Sequence, residues 1–354
     1  MRSRSPVALA LPGRPDADRI VYVNTWYRGH NNARYAELLP RLRRVDPYLL
    51  VFPRRQAPRA AATLAWRRTR RWLEPAALRA ASGRYRHALV TEPAHLPHLA
   101  IPAVVDVDDS YWERDARLLE LPNVRAFVVT AESALRRFRE LGVTKPGYVI
   151  PQGVALERAP TERPTHPPTV GYLAAFLLLP GDRGGDDPLY DLSHLLELWD
   201  DVRARVPDAR LLLVGEPSRR LRERLAGRAD VVLAGRVPHE RLLAELAQVD
   251  VAVYPRTSGR GIRAAKVAVY LGAGIPVVSY DYAVVDDLRE TGAGVLVSTR
   301  AEFADAVARL LTDEAERERL AERARAAGRE RDWRVLAARF EQILDEHLPV
   351  GDGA

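Results

Sequence analysis

The sequence predicts an α/β protein made of two doubly wound halves, and three observations predict it. Short apolar, β-branched runs alternate with longer helical patterns along the chain. The alternation runs twice, and a proline-rich, apolar-poor segment at 159–168 separates the two runs. The 354 residues also exceed the ~100–200 of a usual domain.

In the first half, strands are expected at 20–24, 48–52, 87–91, 103–107, 126–130 and 148–150, with helices at 32–44, 60–81 and 133–141. The second half repeats the pattern with strands at 169–173, 210–214, 231–234, 251–254, 276–279 and 295–297. Its helices fall at 191–205, 239–247 and 263–273, followed by an Arg/Glu-rich helix at 313–331 and an amphipathic one at 333–348. The expected domains are therefore 1–158, a linker at 159–168, 169–332, and a C-terminal helix at 333–354 that returns to the first domain. Two such sheets facing a central cleft would gather strand carboxyl ends and helix N-termini around it, which is where ligands bind in open α/β sheets.

Composition is that of a globular protein, with 47% hydrophobic and 29% charged residues. The absence of cysteine excludes disulfides, thiolate metal sites and a cysteine nucleophile. The apolar patch Val7 to Leu11 is too short for a signal-peptide core, and no run reaches the ~20 residues of a membrane span, so a cytoplasmic protein is expected. Charge is uneven. Residues 1–150 hold 26 basic and 14 acidic side chains, and 151–354 hold 28 and 33. From Arg54 to Arg86 there are ten arginines and one acid, Glu74. With Trp66 and Trp72 beside Arg67, Arg68, Arg70 and Arg71, this stretch is a candidate for peripheral contact with the inner face of a membrane or for a lipid-linked or otherwise anionic acceptor. Core tryptophans on a solvated helix are the alternative. No RNA- or DNA-binding motif accompanies it, so a nucleic-acid partner is not expected.

The stretch from Val251 to Ser279 carries the most chemistry. It reads as a strand, a loop with Gly259 and Gly261, a helix start with Arg263 and Lys266, and a second strand. The glycines let backbone N–H groups approach a phosphate, and the cations share a helix face on which they could clamp a diphosphate. Lys266 is one of two lysines among 52 arginines, which suggests a need for a compact point charge. An ordinary solvated helix face is the plainer reading of the same residues.

The run Lys266-Val-Ala-Val-Tyr-Leu-Gly-Ala-Gly-Ile-Pro-Val-Val278 resembles the donor-site signature of retaining GT-B glycosyltransferases of the large family 4 type. Further pieces resemble the family in the same order: Val105-Asp-Val-Asp-Asp109, Ala126-Phe-Val-Val-Thr-Ala-Glu-Ser133, Val149-Ile-Pro-Gln-Gly-Val154, Leu211-Leu-Leu-Val-Gly215 and Gly235-Arg-Val-Pro-His239, with Trp333 where a last helix crosses back. The resemblance implies two Rossmann-like domains, a nucleotide-diphosphate sugar as donor, and transfer without a metal or other cofactor. It also implies nucleotide contacts at Gly215, Glu216 and Val237. Two departures stand out. The helix carboxylate expected three residues after Lys266 is Val269, its companion position is Gly261, and the basic pair expected after the first strand of the second domain is missing, with Arg183 the only nearby substitute.

In the first domain, the loop Trp26-Tyr-Arg-Gly-His-Asn-Asn32 offers Gly29 for close approach of the diphosphate and His30 as a hydrogen-bonding group, unless Asn31 or Asn32 merely caps the next helix. Asp109, with Asp106 and Asp108, is a candidate to orient or deprotonate an acceptor hydroxyl. Glu216 is a candidate replacement for the missing ribose carboxylate. His95 and His98 are spaced for metal ligation, but no acidic ligand is evident beside them in the sequence and no metal is expected. The catalytic set is thus Lys266, Arg263, Asp109 and His30. The readings that remain are a glycosyltransferase, a sugar-nucleotide epimerase, and a catalytically silent homologue that binds a glycan or a partner subunit.

Overall fold

The computed structural model describes residues 18–23, 33–49, 75–76, 78–80, 82–108, 112–182, 192–256, 265–282 and 285–350. They form two compact units, one of Met1–Pro151 with Leu336–Ala354 and one of Gln152–Val335.

The first unit holds a six-stranded sheet of β1 (Ile20–Val23), β2 (Val45–Leu49), β3 (His87–Val90), β4 (Ala103–Val107), β5 (Val124–Val129) and β6 (Gly147–Val149). The order is β2-β1-β3-β4-β5-β6, and every pairing is parallel. β4 is buried along its whole length and reads as a nearly continuous β-branched run, as a central parallel strand covered on both faces should. β2 begins three residues before the expected 48–52, because Val45 and Asp46 are the residues that pair with β1. The helix expected at 32–44 is Ala33–Leu38, and at Pro40 it tightens into the 3₁₀ turn Leu39–Arg41, since proline supplies no N–H for the α ladder.

The second unit holds β7 (Thr169–Leu177), β8 (Arg210–Pro217), β9 (Val231–Gly235), β10 (Val251–Tyr254), β11 (Val277–Tyr280) and β12 (Gly294–Val297). Their order is β12-β11-β10-β7-β8-β9, again all parallel. Apolar cores lie on its two faces, one including Trp199, Leu211 and Phe303, the other Leu212, Tyr270 and Ile275. Helix Arg300–Thr312 starts with a capping box between Thr299 and Glu302.

The proline-rich segment is not the boundary expected of it. The units divide between Pro151 and Gln152, and 159–168 lies inside the second unit, where Arg163 donates to the carbonyls of Ala247 and Val249. A segment with few apolar side chains is held here by hydrogen bonds instead of by a core. Helix Trp333–His347 begins in the second unit and continues in the first from Leu336. Among the described residues no helix is long and apolar enough to cross a membrane.

Candidate functional site

In the second sheet β8 and β9 lie to one side of β7, and β10 to β12 lie to the other. Strand order therefore reverses between β7 and β10. At such a reversal the connections leave the carboxyl ends in opposite directions and open a crevice for a ligand. Four polar side chains gather there. Tyr172 comes from β7, Tyr254 ends β10, Arg256 follows two residues later, and Lys266 stands in the first turn of helix Ala265–Gly272. The Lys266 ammonium donates to the Tyr172 hydroxyl at 3.3 Å. It also lies 4.5 Å from the centre of the Tyr172 ring and 5.5 Å from that of Tyr254. Arg256 Nη1 donates to the Tyr254 hydroxyl at 3.1 Å.

The charges in this cluster are all positive. Burial pushes the Lys266 amine down to about 8, and the Arg256 guanidinium adds to the effect. Burial likewise pushes the Tyr172 phenol up to about 12, so it stays a neutral hydroxyl. Among the described residues neither Lys266 nor Arg256 has a carboxylate partner, and Arg256 Nε is buried without a hydrogen-bond partner. Several other arginines are paired with acids, as Arg222 is with Glu216, Arg228 with Asp230 and Arg300 with Asp201. Two neighbouring cations with no acid among the described residues leave positive charge that an anion could neutralise.

The backbone beside them is shaped for close approach. β7 slips register between Leu173 and Phe176, and the buried Tyr270 hydroxyl fixes the preceding residue by accepting the Leu173 N–H at 2.7 Å. The Ala174 carbonyl then crosses Gly215, which has φ +149° and where a Cβ would stand 2.1 Å from that oxygen. Gly215 is thus required by its own backbone and its neighbour's. Glu216 is exposed and paired with Arg222 at 2.7 Å. Val237 is half-buried against the core. Val269 lines a small cavity with Val154, Ala155, Arg158, His239 and Leu242, so an apolar side chain stands where the resembling family has its carboxylate.

Gly29, His30, Asp109, Arg183, Gly259, Gly261 and Arg263 lie outside the described residues, as do Trp66, Trp72 and the arginines from 54 to 71. Of the other acceptor-side candidates, Asp106 is corrected. It is wholly buried and forms a two-pronged ion pair with Arg34, at 2.8 Å to Nε and 2.9 Å to Nη2, while Arg34 Nη1 donates to the Pro151 carbonyl at 3.0 Å. A carboxylate so paired and wholly buried anchors structure and is closed off from an acceptor hydroxyl. His95 does have an acidic neighbour, Glu92, 3.0 Å from Nε2. Among the described residues no three His, Asp or Glu side chains group as metal ligands.

The sequence reading missed Tyr172, Tyr254 and Arg256. Arg256 had a signal, because it stands two residues beyond a strand whose carboxyl end faces the crevice. Tyr172 had none, since it stands 94 residues from the lysine it supports.

Residues 187–313 match the model of a family described as glycosyl transferases group 1. No curated protein sequence matches the chain. Among solved structures it is similar to HepE of Anabaena in complex with UDP-glucose, with TM-score 0.66 and 16% identity over 93% of this chain and 99% of that one. It is also similar to WaaG, a glycosyltransferase involved in lipopolysaccharide biosynthesis, with TM-score 0.60 and 14% identity over 92% and 99%. TarM of S. aureus, crystallised with UDP, is similar with TM-score 0.56 and 15% identity, and there the match spans 73% of this chain but 55% of TarM. With two parallel six-stranded units and the group 1 match centred on the second, the chain has the fold of the GT-B glycosyltransferases.

Proposed function

We propose that the chain transfers a sugar from a nucleoside-diphosphate sugar to an acceptor hydroxyl, with retention at the anomeric carbon. Lys266 carries the reading. It is a half-buried ammonium with no acid beside it among the described residues, at the point where strand order reverses, in the segment that matches glycosyl transferases group 1. As the bond from the anomeric carbon to the β-phosphate oxygen breaks, negative charge grows on that phosphate, and a fixed ammonium there stabilises it. The departing phosphate oxygen takes the acceptor's proton, and the acceptor oxygen bonds to the anomeric carbon on the face being vacated. No protein nucleophile is needed, and no metal.

A UDP-sugar is the first donor to test, because HepE is bound to UDP-glucose and TarM to UDP. The ten arginines between Arg54 and Arg86 favour an anionic or lipid-linked acceptor reached from the cytoplasmic membrane face. A silent, donor-binding homologue is the second reading, favoured by the apolar Val269 at the carboxylate position. A panel of nucleotide sugars, assayed for binding and for nucleotide release with and without lipid-linked acceptors, separates the two. Acceptor-dependent release supports the transferase, whereas tight binding with no release under any condition supports the silent protein.

A further inference from the structure

We propose that Arg256 is a second phosphate ligand for the donor and replaces the basic pair absent from the segment after β7. The inference rests on the nucleoside-diphosphate reading of the Lys266 site. Arg256 leaves the carboxyl end of β10, and β10 and β7 are the two strands between which the order reverses. A cation there faces the same crevice as one held after β7 would. The guanidinium is half-buried and is steadied from one side by the Tyr254 hydroxyl, 3.1 Å from Nη1. Its Nε is buried and has no partner among the described residues. A buried N–H on a charged group left without an acceptor costs free energy, and a phosphate oxygen is an acceptor of matching charge.

The two cations divide the work by shape. Lys266 is a compact charge held over two rings, suited to a single phosphate oxygen. Arg256 offers a planar fork whose Nε has no partner among the described residues, suited to two oxygens of one phosphate or to the bridge between two. Their mutual repulsion, which contributes to the lowered affinity of Lys266 for its proton, is relieved when a multiply charged anion lies between them. This predicts a preference for a diphosphate over a monophosphate, because only the longer anion meets both.

The test uses the full chain and calorimetric titration with UDP, UMP and inorganic pyrophosphate. Arg256→Gln is expected to weaken UDP at least tenfold and UMP less than threefold, and Arg256→Lys to recover part of the UDP loss, with thermal midpoints close to the parent's. UDP affinity unchanged in Arg256→Gln, in a protein whose Lys266→Ala variant has lost it, overturns the role of Arg256 and leaves the donor reading standing. Equal loss for UDP and UMP also overturns it, since the residue would then support the site as a whole. A parent protein that binds neither UDP nor any other nucleoside diphosphate overturns the donor reading and this inference with it.

Discussion

Lys266 points its ammonium at Tyr172, 3.3 Å from the hydroxyl and 4.5 Å from the ring centre, so its closest support is a neutral aromatic and not a carboxylate. A ring face and a hydroxyl hold the cation in place without cancelling its charge. The full charge remains available to an anion.

That arrangement makes nucleotide binding sensitive to pH. The Lys266 amine, lowered to about 8 by burial, is charged below that pH and neutral above it. Between about pH 7.5 and 9 the phosphates of UDP are ionised and its uracil N–H is still largely protonated, so its affinity should be flat up to the Lys266 midpoint and then fall by up to about tenfold per pH unit. Titrations across that window measure it. In Lys266→Arg, whose guanidinium does not titrate, the fall should vanish. A parent profile that stays flat across that window speaks against a depressed lysine.

Gly215→Ala should lower stability through backbone strain. The φ of +149° and the Ala174 carbonyl 2.1 Å from the added methyl leave no room for a Cβ. The conformational penalty alone is about 1–3 kcal/mol. A thermal midpoint equal to the parent's would mean that β7 and β8 do not approach as described.

The Arg34–Asp106 pair is expected to act on stability and not on chemistry. Removing either partner strands a buried charge, at about 3–5 kcal/mol, while replacing both with apolar residues of similar volume restores much of the loss. Urea unfolding of Arg34→Met, Asp106→Leu and the double variant decides between the roles. A double variant that is stable yet inactive would return Asp106 to the acceptor site.

Turnover should survive EDTA. In the proposed transfer the negative charge that grows on the leaving phosphate is met by Lys266 and Arg256, and nothing is asked of a metal. Loss of activity on chelation with recovery in Mg²⁺ or Mn²⁺ would contradict that.

How much of this was legible in the sequence depends on how local each cause is. β10, at Val251–Tyr254, lies where its β-branched run placed it, and helix Glu132–Glu140 is within a residue of expectation, because both follow from nearby patterning. β2 slipped by three residues because pairing with β1 fixes its start, and no local pattern encodes a partner. The linker was misplaced for a related reason: proline content marked 159–168, but Arg163 ties it to carbonyls more than eighty residues away. Lys266 was visible through its rarity. Its setting was not, since Tyr172, Arg256 and the reversal of strand order come together only in the folded sheet. The Asp106 role was hidden likewise, because Arg34 lies 72 residues earlier and an acidic strand end reads alike whether free or paired.

The most direct test of the account is calorimetric titration of UDP into the parent chain and into Lys266→Ala at pH 7. A charge-assisted contact in a half-buried site contributes about 1.5–3 kcal/mol, so the variant should bind roughly one to two decades more weakly with its thermal midpoint little changed. Equal affinity in the two proteins would contradict the assignment of Lys266 to the donor's diphosphate.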